Sequence, residues 1–123
     1  MSDKVNLAEQ LASFDEVWVP KVVAALNGQY VKVAKFEGEY VWHHHESEDE
    51  LFWVLRGKVT IRLRDRDVEL SPGELFVVPR GVEHKPVAEG VADVVMFEPA
   101  STTNTGNVEN DLTIAPDDLE HLA

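Results

Sequence analysis

Hydrophobic positions follow two different rhythms along this chain. Leu7, Leu11 and Phe14 recur at spacings of four and three, the period of one helix face. Asn6 stands where a cap is needed, and Glu9 at the third helical position is its box-like partner, so a short helix is predicted over 7–14, packed on the body. From Tyr30 the rhythm shortens. Segments rich in Val, Phe, Tyr and Trp predict strands near 30–36, 40–45, 50–55, 58–64, 67–70, 75–78, 83–88 and 91–98. Turn signals separate them: Glu37-Gly38, the acidic stretch 46–49, Arg56-Gly57, Asp65-Arg66, Ser71-Pro72-Gly73, Pro79-Arg80-Gly81 and Glu89-Gly90. Pro-Gly suits a type II turn, because glycine accepts the positive φ it requires. Many short strands joined by tight turns predict an all-β sandwich or barrel. After Pro99 the chain turns polar, from Ser101 to Asn107, which reads as an ordered strap across the barrel or a frayed tail. Residues 116–122 fit one helical turn with Asp117, Asp118 and Glu120 on its surface. The expected organisation is a single domain over 1–123, with a barrel core at about 30–99 and a polar strap and tail over 100–123.

Composition narrows the classes. The 123 residues are 44% hydrophobic and 28% charged, a globular balance. No apolar run approaches the roughly 20 residues that span a bilayer. The first six residues lack a basic stretch followed by an apolar one, so no secretory signal is expected and the default location is the cytoplasm. Cysteine is absent, which removes disulfides, thiolate metal sites and cysteine nucleophiles together. Eleven Lys plus Arg against 23 Asp plus Glu leave a net charge of −12. Neither nucleic acid nor an anionic membrane is an expected partner.

The chemistry concentrates in histidine. Three of the five histidines are consecutive, His43, His44 and His45. On an extended chain, residues two apart share a face, so His43 and His45 can converge while His44 faces away. Glu50 opens the next strand and returns beside them if the two strands pair. His84 lies in a later strand, just past Pro79-Arg80-Gly81. Three neutral imidazoles and one carboxylate suit Fe(II), Mn(II), Ni(II), Co(II) or Zn(II). Taken alone, a histidine tract also fits an exposed cluster, and a single His84 also fits a hydrogen-bonded structural role.

The framing of these residues adds a resemblance. Residues 38–57 place His43-x-His45, a four-residue gap, Glu50, six residues and Gly57 in order. This is similar to the first motif of the cupin superfamily. Gly73, Pro79, Gly81 and His84 resemble its second motif, and the likeness runs from about Val31 to Pro99. There are two departures. Only four residues, not five, separate Gly38 from His43, and Ala88 replaces an asparagine often found after the second motif. More closely, the chain resembles small single-domain cupins (cupin_2 type) labelled as relatives of mannose-6-phosphate isomerase, a label that marks shared fold rather than reaction. The resemblance implies a double-stranded β-helix, the jelly-roll or cupin barrel, with one divalent transition metal held by His43, His45, Glu50 and His84. About two coordination positions would stay open. It also implies a homodimer, to which the apolar segment Trp18-Val19-Pro20 is an expected contributor.

The same strand parity places Phe52 and Val54 with Glu50, and Val59, Ile61 and Leu63 along the interior. Phe52, Val54, Arg56 and Met96 are the expected ligand pocket. Gln29, Tyr30, Lys32, Lys35 and Tyr40 are further polar candidates whose face the sequence leaves open. Trp42 and Trp53 take the opposite parity, as packing or subunit-contact residues. No nucleophile motif, phosphate loop or dinucleotide fingerprint is present, so any chemistry is expected at the metal, with Glu50 as the candidate catalytic base. The expected function is that of a metal-binding cupin of small-molecule metabolism acting on, or binding, a small oxygen-rich ligand such as a sugar, organic acid or diketone. One form is an enzyme (a metal-dependent dioxygenase, isomerase or lyase); the alternative is a non-catalytic binding module.

Overall fold

A computed structural model describes residues 4–122. Its elements in order are helix α1 (Leu7–Ala12), then strands β1 (Lys21–Leu26), β2 (Gln29–Glu39), β3 (Glu50–Arg56), β4 (Val59–Leu63), β5 (Asp67–Leu70), β6 (Leu75–Val78), β7 (His84–Pro99) and β8 (Glu120–His121). The predicted helix ends at Ala12 rather than residue 14, and Asn6 caps it by accepting from the Glu9 amide at 2.9 Å.

Two long strands organise the barrel. β7 pairs antiparallel with β2 along nearly its whole length. Its first half also pairs with β4, and its second half with β3. β5 extends the β4 side, β6 the β3 side, and β1 and β8 the far side of β2. The chain passes from one half of the barrel to the other near Gly38 and Gly90, both at positive φ. This is the jelly-roll arrangement. The two strands predicted over 83–88 and 91–98 are therefore one. Glu89-Gly90 falls where the pairing with β2 shifts register, between Phe36 opposite Ala92 and Gly38 opposite Ala88, and β7 continues on both sides of the irregularity.

Three further expectations change. β1 was not foreseen, because Lys21–Leu26 is buried in its first half and exposed in its second, with no alternation to read. Its hairpin signal was nonetheless present. Asn27-Gly28, with φ of 50° and 76°, makes the two-residue primed turn into β2. Residues 40–45 form no strand; a single antiparallel bridge joins His43 to His84. The C-terminal turn is a short 3₁₀ helix (Pro116–Asp118), after which β8 lies parallel to β1.

Strand alternation then sorts the side chains. Ala34, Phe36, Phe52, Val54, Val59, Ile61, Val94 and Met96 fill the barrel. Val33 and Val95 face the other way and pack with Val23 under Leu11 of α1. Trp18, expected at a subunit surface, is buried instead. It stacks on Phe36 at 4.5 Å and Tyr40 at 4.6 Å between ring centres, and its indole nitrogen donates to the Glu37 carbonyl at 2.8 Å. It holds a φ of 61°, uncommon for a bulky residue, so its neighbours fix a strained backbone at the barrel mouth. Pro20 beside it is also buried. Among the described residues, no helix is long and apolar enough to cross a membrane.

Candidate metal centre

Backbone pairing sets the histidines. The His43 amide donates to the His84 carbonyl at 3.0 Å, and the His84 amide returns the bond at 2.9 Å. This bridge joins the segment before the acidic turn to the start of β7. Glu50 enters from the first residue of β3, where it pairs with Val78. His43, His45, Glu50 and His84 are all buried, and one ligand atom from each lies within 4.8 Å of the others. His44 turns outward, its ring nitrogen 2.8 Å from Glu46 and its amide held by Asn107 Oδ1 at 2.8 Å.

Hydrogen bonding decides which nitrogens face inward. His43 Nδ1 lies 2.9 Å from the Val41 carbonyl, and His84 Nδ1 lies 3.0 Å from the Val82 carbonyl. A carbonyl only accepts, so both Nδ1 atoms carry the proton and both Nε2 atoms present a lone pair. His84 Nε2 is 3.2 Å and His45 Nε2 is 3.3 Å from the same oxygen of Glu50. His45 Nε2 finds no hydrogen-bond partner there, although it is buried. Lone pairs thus crowd a carboxylate oxygen in a desolvated pocket. A cation at their centre resolves that conflict, and bonds of about 2.0–2.2 Å to nitrogen and oxygen fit donor atoms at these separations. The residues fit a divalent transition metal.

Electrostatics agree. Burial, reinforced by the neighbouring His84, lowers the His43 pKa to about 4, so the imidazole is a neutral ligand well into acid. For Glu50, burial works towards a higher pKa, but the adjacent Glu98 carboxyl, with His45 and His84 adding to it whenever a proton stands on the nitrogen facing Glu50, overcomes it and holds the group well below the usual carboxylate range. Burial and then the charge of Glu50 push Glu98 well above that range, against the pull of Lys32. Burial, helped by Glu50 and Glu98, also raises the Tyr40 phenol.

A cavity opens beside the cluster, lined by Trp18, Pro20, Phe36, Tyr40, His43, Glu50, Phe52, Pro86, Met96, Glu98 and Asn104. It encloses about 350 Å³ counted out to its mouth, while the interior free for a water-sized molecule is about 20 Å³. That is room for a water molecule or one small ligand group. Phe52 and Met96 stand in its wall. The other two expected pocket residues do not. Val54 is sealed in the core, and the Arg56 side chain is 80% exposed, beside Asp93 at 3.7 Å on the outside. Val54 keeps the inward parity, but each two-residue step moves about 6.6 Å along a strand, past the cavity. At Arg56 the register with β7 has shifted, and the side chain lies on the outer side with Asp93. Among the other polar candidates, Tyr40 reaches the cavity, and Lys35 pairs with Asp93 at 3.1 Å, away from it. Trp42 packs under Arg64, whose guanidinium centre is 3.7 Å from the ring centre, and Trp53 is exposed.

The strap over 100–115 is ordered, and it closes one side of the site. Asn107 exchanges hydrogen bonds with His44, through its own amide as well as its side chain. Gly106 lies so close that a methyl group there would overlap the His44 carbonyl and crowd the His43 ring. Asn104 is held by its own strap, donating to the Leu112 carbonyl and accepting from the Ile114 amide, both at 2.8 Å.

Glu98 escapes the sequence reading as a site residue, and Lys32 is the polar candidate that the structure brings to it. Lys32 is 0% and Glu98 2% exposed, and they meet inside the barrel at 2.7 Å. The available signal was parity. Lys32 shares the inward face with Ala34 and Phe36, and Glu98 shares it with Val94 and Met96.

Comparison with known proteins agrees with this architecture. The family model described as "Cupin domain" (Cupin_2) matches residues 29–98. A cupin-2 domain-containing protein from Shewanella frigidimarina is 40% identical, with a TM-score of 0.76 over 77% of this chain and 93% of that one. Protein NMB1881 from Neisseria meningitidis is 28% identical, with a TM-score of 0.73 over 79% of this chain and 99% of that one. The uncharacterized protein YdbB of Bacillus subtilis is 38% identical over 64 residues, 51% of this chain. The match spans 57% of that curated relative's length.

Proposed function

This chain belongs to the Cupin_2 family of cupin domains, and we propose that it holds one divalent transition metal through His43, His45, Glu50 and His84 and presents it to a small oxygen-bearing ligand. One observation carries this reading: Nε2 lone pairs crowd a buried carboxylate oxygen, and His45 Nε2 has no partner. A bound cation would supply Lewis-acid polarisation of a ligand oxygen. The chain supplies the rest. The Val41 and Val82 carbonyls fix the imidazole tautomers, and Trp18, Phe36, Phe52 and Met96 keep the approach apolar. Glu50 belongs both to the cluster and to the cavity wall, and so is a group placed to take a proton from a ligand. The narrow interior favours a small organic acid, hydroxy-carbonyl compound or diketone over a full sugar ring, and turnover rather than capture of such a molecule is the activity to look for.

Metal content by elemental analysis, on protein purified without added metal and after reloading, tests the reading. We expect close to one equivalent in the wild type, and much less in alanine variants of His43, His45, Glu50 or His84. His44→Ala keeps its metal. Equal metal content in all five variants overturns the assignment.

We also propose a homodimer built through the outer face of β3 and β6. Trp53, Leu75 and Val77 are exposed there, and among the described residues β6 is a sheet edge that pairs only with β3.

A further inference from the structure

The cavity wall is apolar except at a few points, and most of those have other duties. His43 and Glu50 belong to the metal cluster. Both ends of the Asn104 amide are bound within the strap. Tyr40 contributes a phenol kept in its neutral form by burial. That leaves Glu98. Its Oε1 accepts from Lys32 Nζ at 2.7 Å, and its Oε2 is buried in this wall without any hydrogen-bond partner. The Glu50 carboxyl is its neighbour, and burial together with the charge of Glu50 favours a neutral Glu98, so Oε2 belongs to a carboxyl group beside the metal cluster. Leaving such an oxygen buried and unpaired is costly, so it calls for a hydrogen-bonding partner. Among the described residues none supplies one, and the cavity is where a ligand can bring it.

We propose that Glu98, held by Lys32, is the ligand-orienting hydrogen-bonding group of this site, and that it selects small molecules carrying a hydroxyl beside the oxygen that meets the metal. α-Hydroxy acids, hydroxy-ketones and enediols have this pattern; simple carboxylic acids and ketones do not. The proposal rests on the metal-centred reading above.

The geometry supports a division of labour. Glu98 and Glu50 approach the cavity from neighbouring strands, β7 and β3, which are paired there. A ligand oxygen directed at the cluster would place a hydroxyl on its adjacent carbon within reach of the Glu98 side of the wall. Lys32 is fully buried and engaged with Glu98, so its role is to position the Glu98 carboxyl group. Because the free interior is small, an unsatisfied Glu98 oxygen and a ligand lacking the hydroxyl would be shut in together. That mismatch is the basis of the selectivity.

Glycolate and acetate differ by this one hydroxyl and serve as probes. Both are titrated by calorimetry into Co(II)-loaded and metal-stripped wild type, into Glu98→Gln, and into the double variant Lys32→Met/Glu98→Leu. The double variant removes both charges at once and avoids stranding a buried lysine. In the wild type, glycolate should bind Co(II)-loaded protein more tightly than acetate. That preference should fall about fivefold or more in the double variant, as expected on losing a buried hydrogen bond, and by less in Glu98→Gln, which keeps a hydrogen-bonding amide. Co(II) affinity should change little, which separates a ligand-facing role from a merely structural one. An unchanged preference in both variants overturns the proposal while leaving the metal reading intact; so does failure of the loaded wild type to bind glycolate. Equal binding of glycolate with and without metal overturns the metal reading itself.

Discussion

His43 makes the metal-free protein acid-sensitive in a way that can be worked out from its surroundings. Burial and the nearby His84 hold its folded pKa at about 4, against 6.5 when it is solvated. Between these values the unfolded chain binds a proton that the folded chain refuses. Stability therefore falls as the pH drops through about 6.5, and the loss is complete below about 4. The whole gap is worth about 3 kcal/mol, and about 2 kcal/mol of it is already lost at pH 5. The comparison that isolates this group is wild type against His43→Gln, each stripped of metal with a chelator and unfolded in urea at pH 7 and pH 5. Other carboxylates titrate in both proteins and largely cancel in the difference. The variant lacks the neutral imidazole, so its stability should fall by about 2 kcal/mol less between the two pH values. A wild-type-minus-variant difference that stays the same at both would refute the reasoning, because it would mean that folded His43 accepts a proton as readily as a solvated one.

Other expectations are simpler to check. Gly28 and Gly106 both sit at positive φ, but a methyl group at Gly28 meets nothing within 4 Å, whereas at Gly106 it strikes the His44 carbonyl. In urea melts, Gly28→Ala should cost about 1 kcal/mol and Gly106→Ala clearly more, with weakened metal retention only in the second; equal costs would show that the strap gives way freely. Saturating the wild type with metal at about 100 times its Kd should raise unfolding stability by about 2.7 kcal/mol, an increment that His84→Ala should lose. Light scattering at micromolar concentration should show a dimer, and Leu75→Lys/Val77→Lys a monomer; a monomeric wild type would exclude the β3–β6 face as an interface.

Alternation carried the sequence reading a long way. In Glu50–Arg56 it separates Glu50, Phe52 and Val54, all buried, from the exposed Trp53, and the burial follows that order. The same rule turned His44 away from His43 and His45 although no regular strand forms there, because the bridge to His84 keeps that backbone locally extended. Parity says which face a side chain takes, but not how far along the barrel it lies. Val54 therefore shares the inward face yet lies beyond the end of the cavity, and the register shift between Val54 and Arg56 takes Arg56 out of the alternation altogether. β1 lacked alternation because one half of the strand is covered and the other is exposed, and Trp18 looked like surface because its burial comes from Phe36 and Tyr40, far along the chain.

Lys32 and Glu98 carry a last consequence of that parity. Each occupies an inward position flanked by apolar neighbours, where a charge can only be tolerated if it is paired. Stability alone gives no reason for the pair, since apolar side chains of similar volume in place of a buried ion pair are often neutral or stabilising by about 1–4 kcal/mol. The Lys32→Met/Glu98→Leu protein should accordingly melt at or above the wild-type temperature when both are metal-free. A melting temperature well below wild type would mean that the two charges hold the barrel together. With the fold indifferent to the pair, the place of Glu98 in the wall beside Glu50, with Lys32 holding it from within the barrel, is accounted for by what it offers a ligand: one fixed hydrogen-bonding group in a largely apolar approach to the metal ligands.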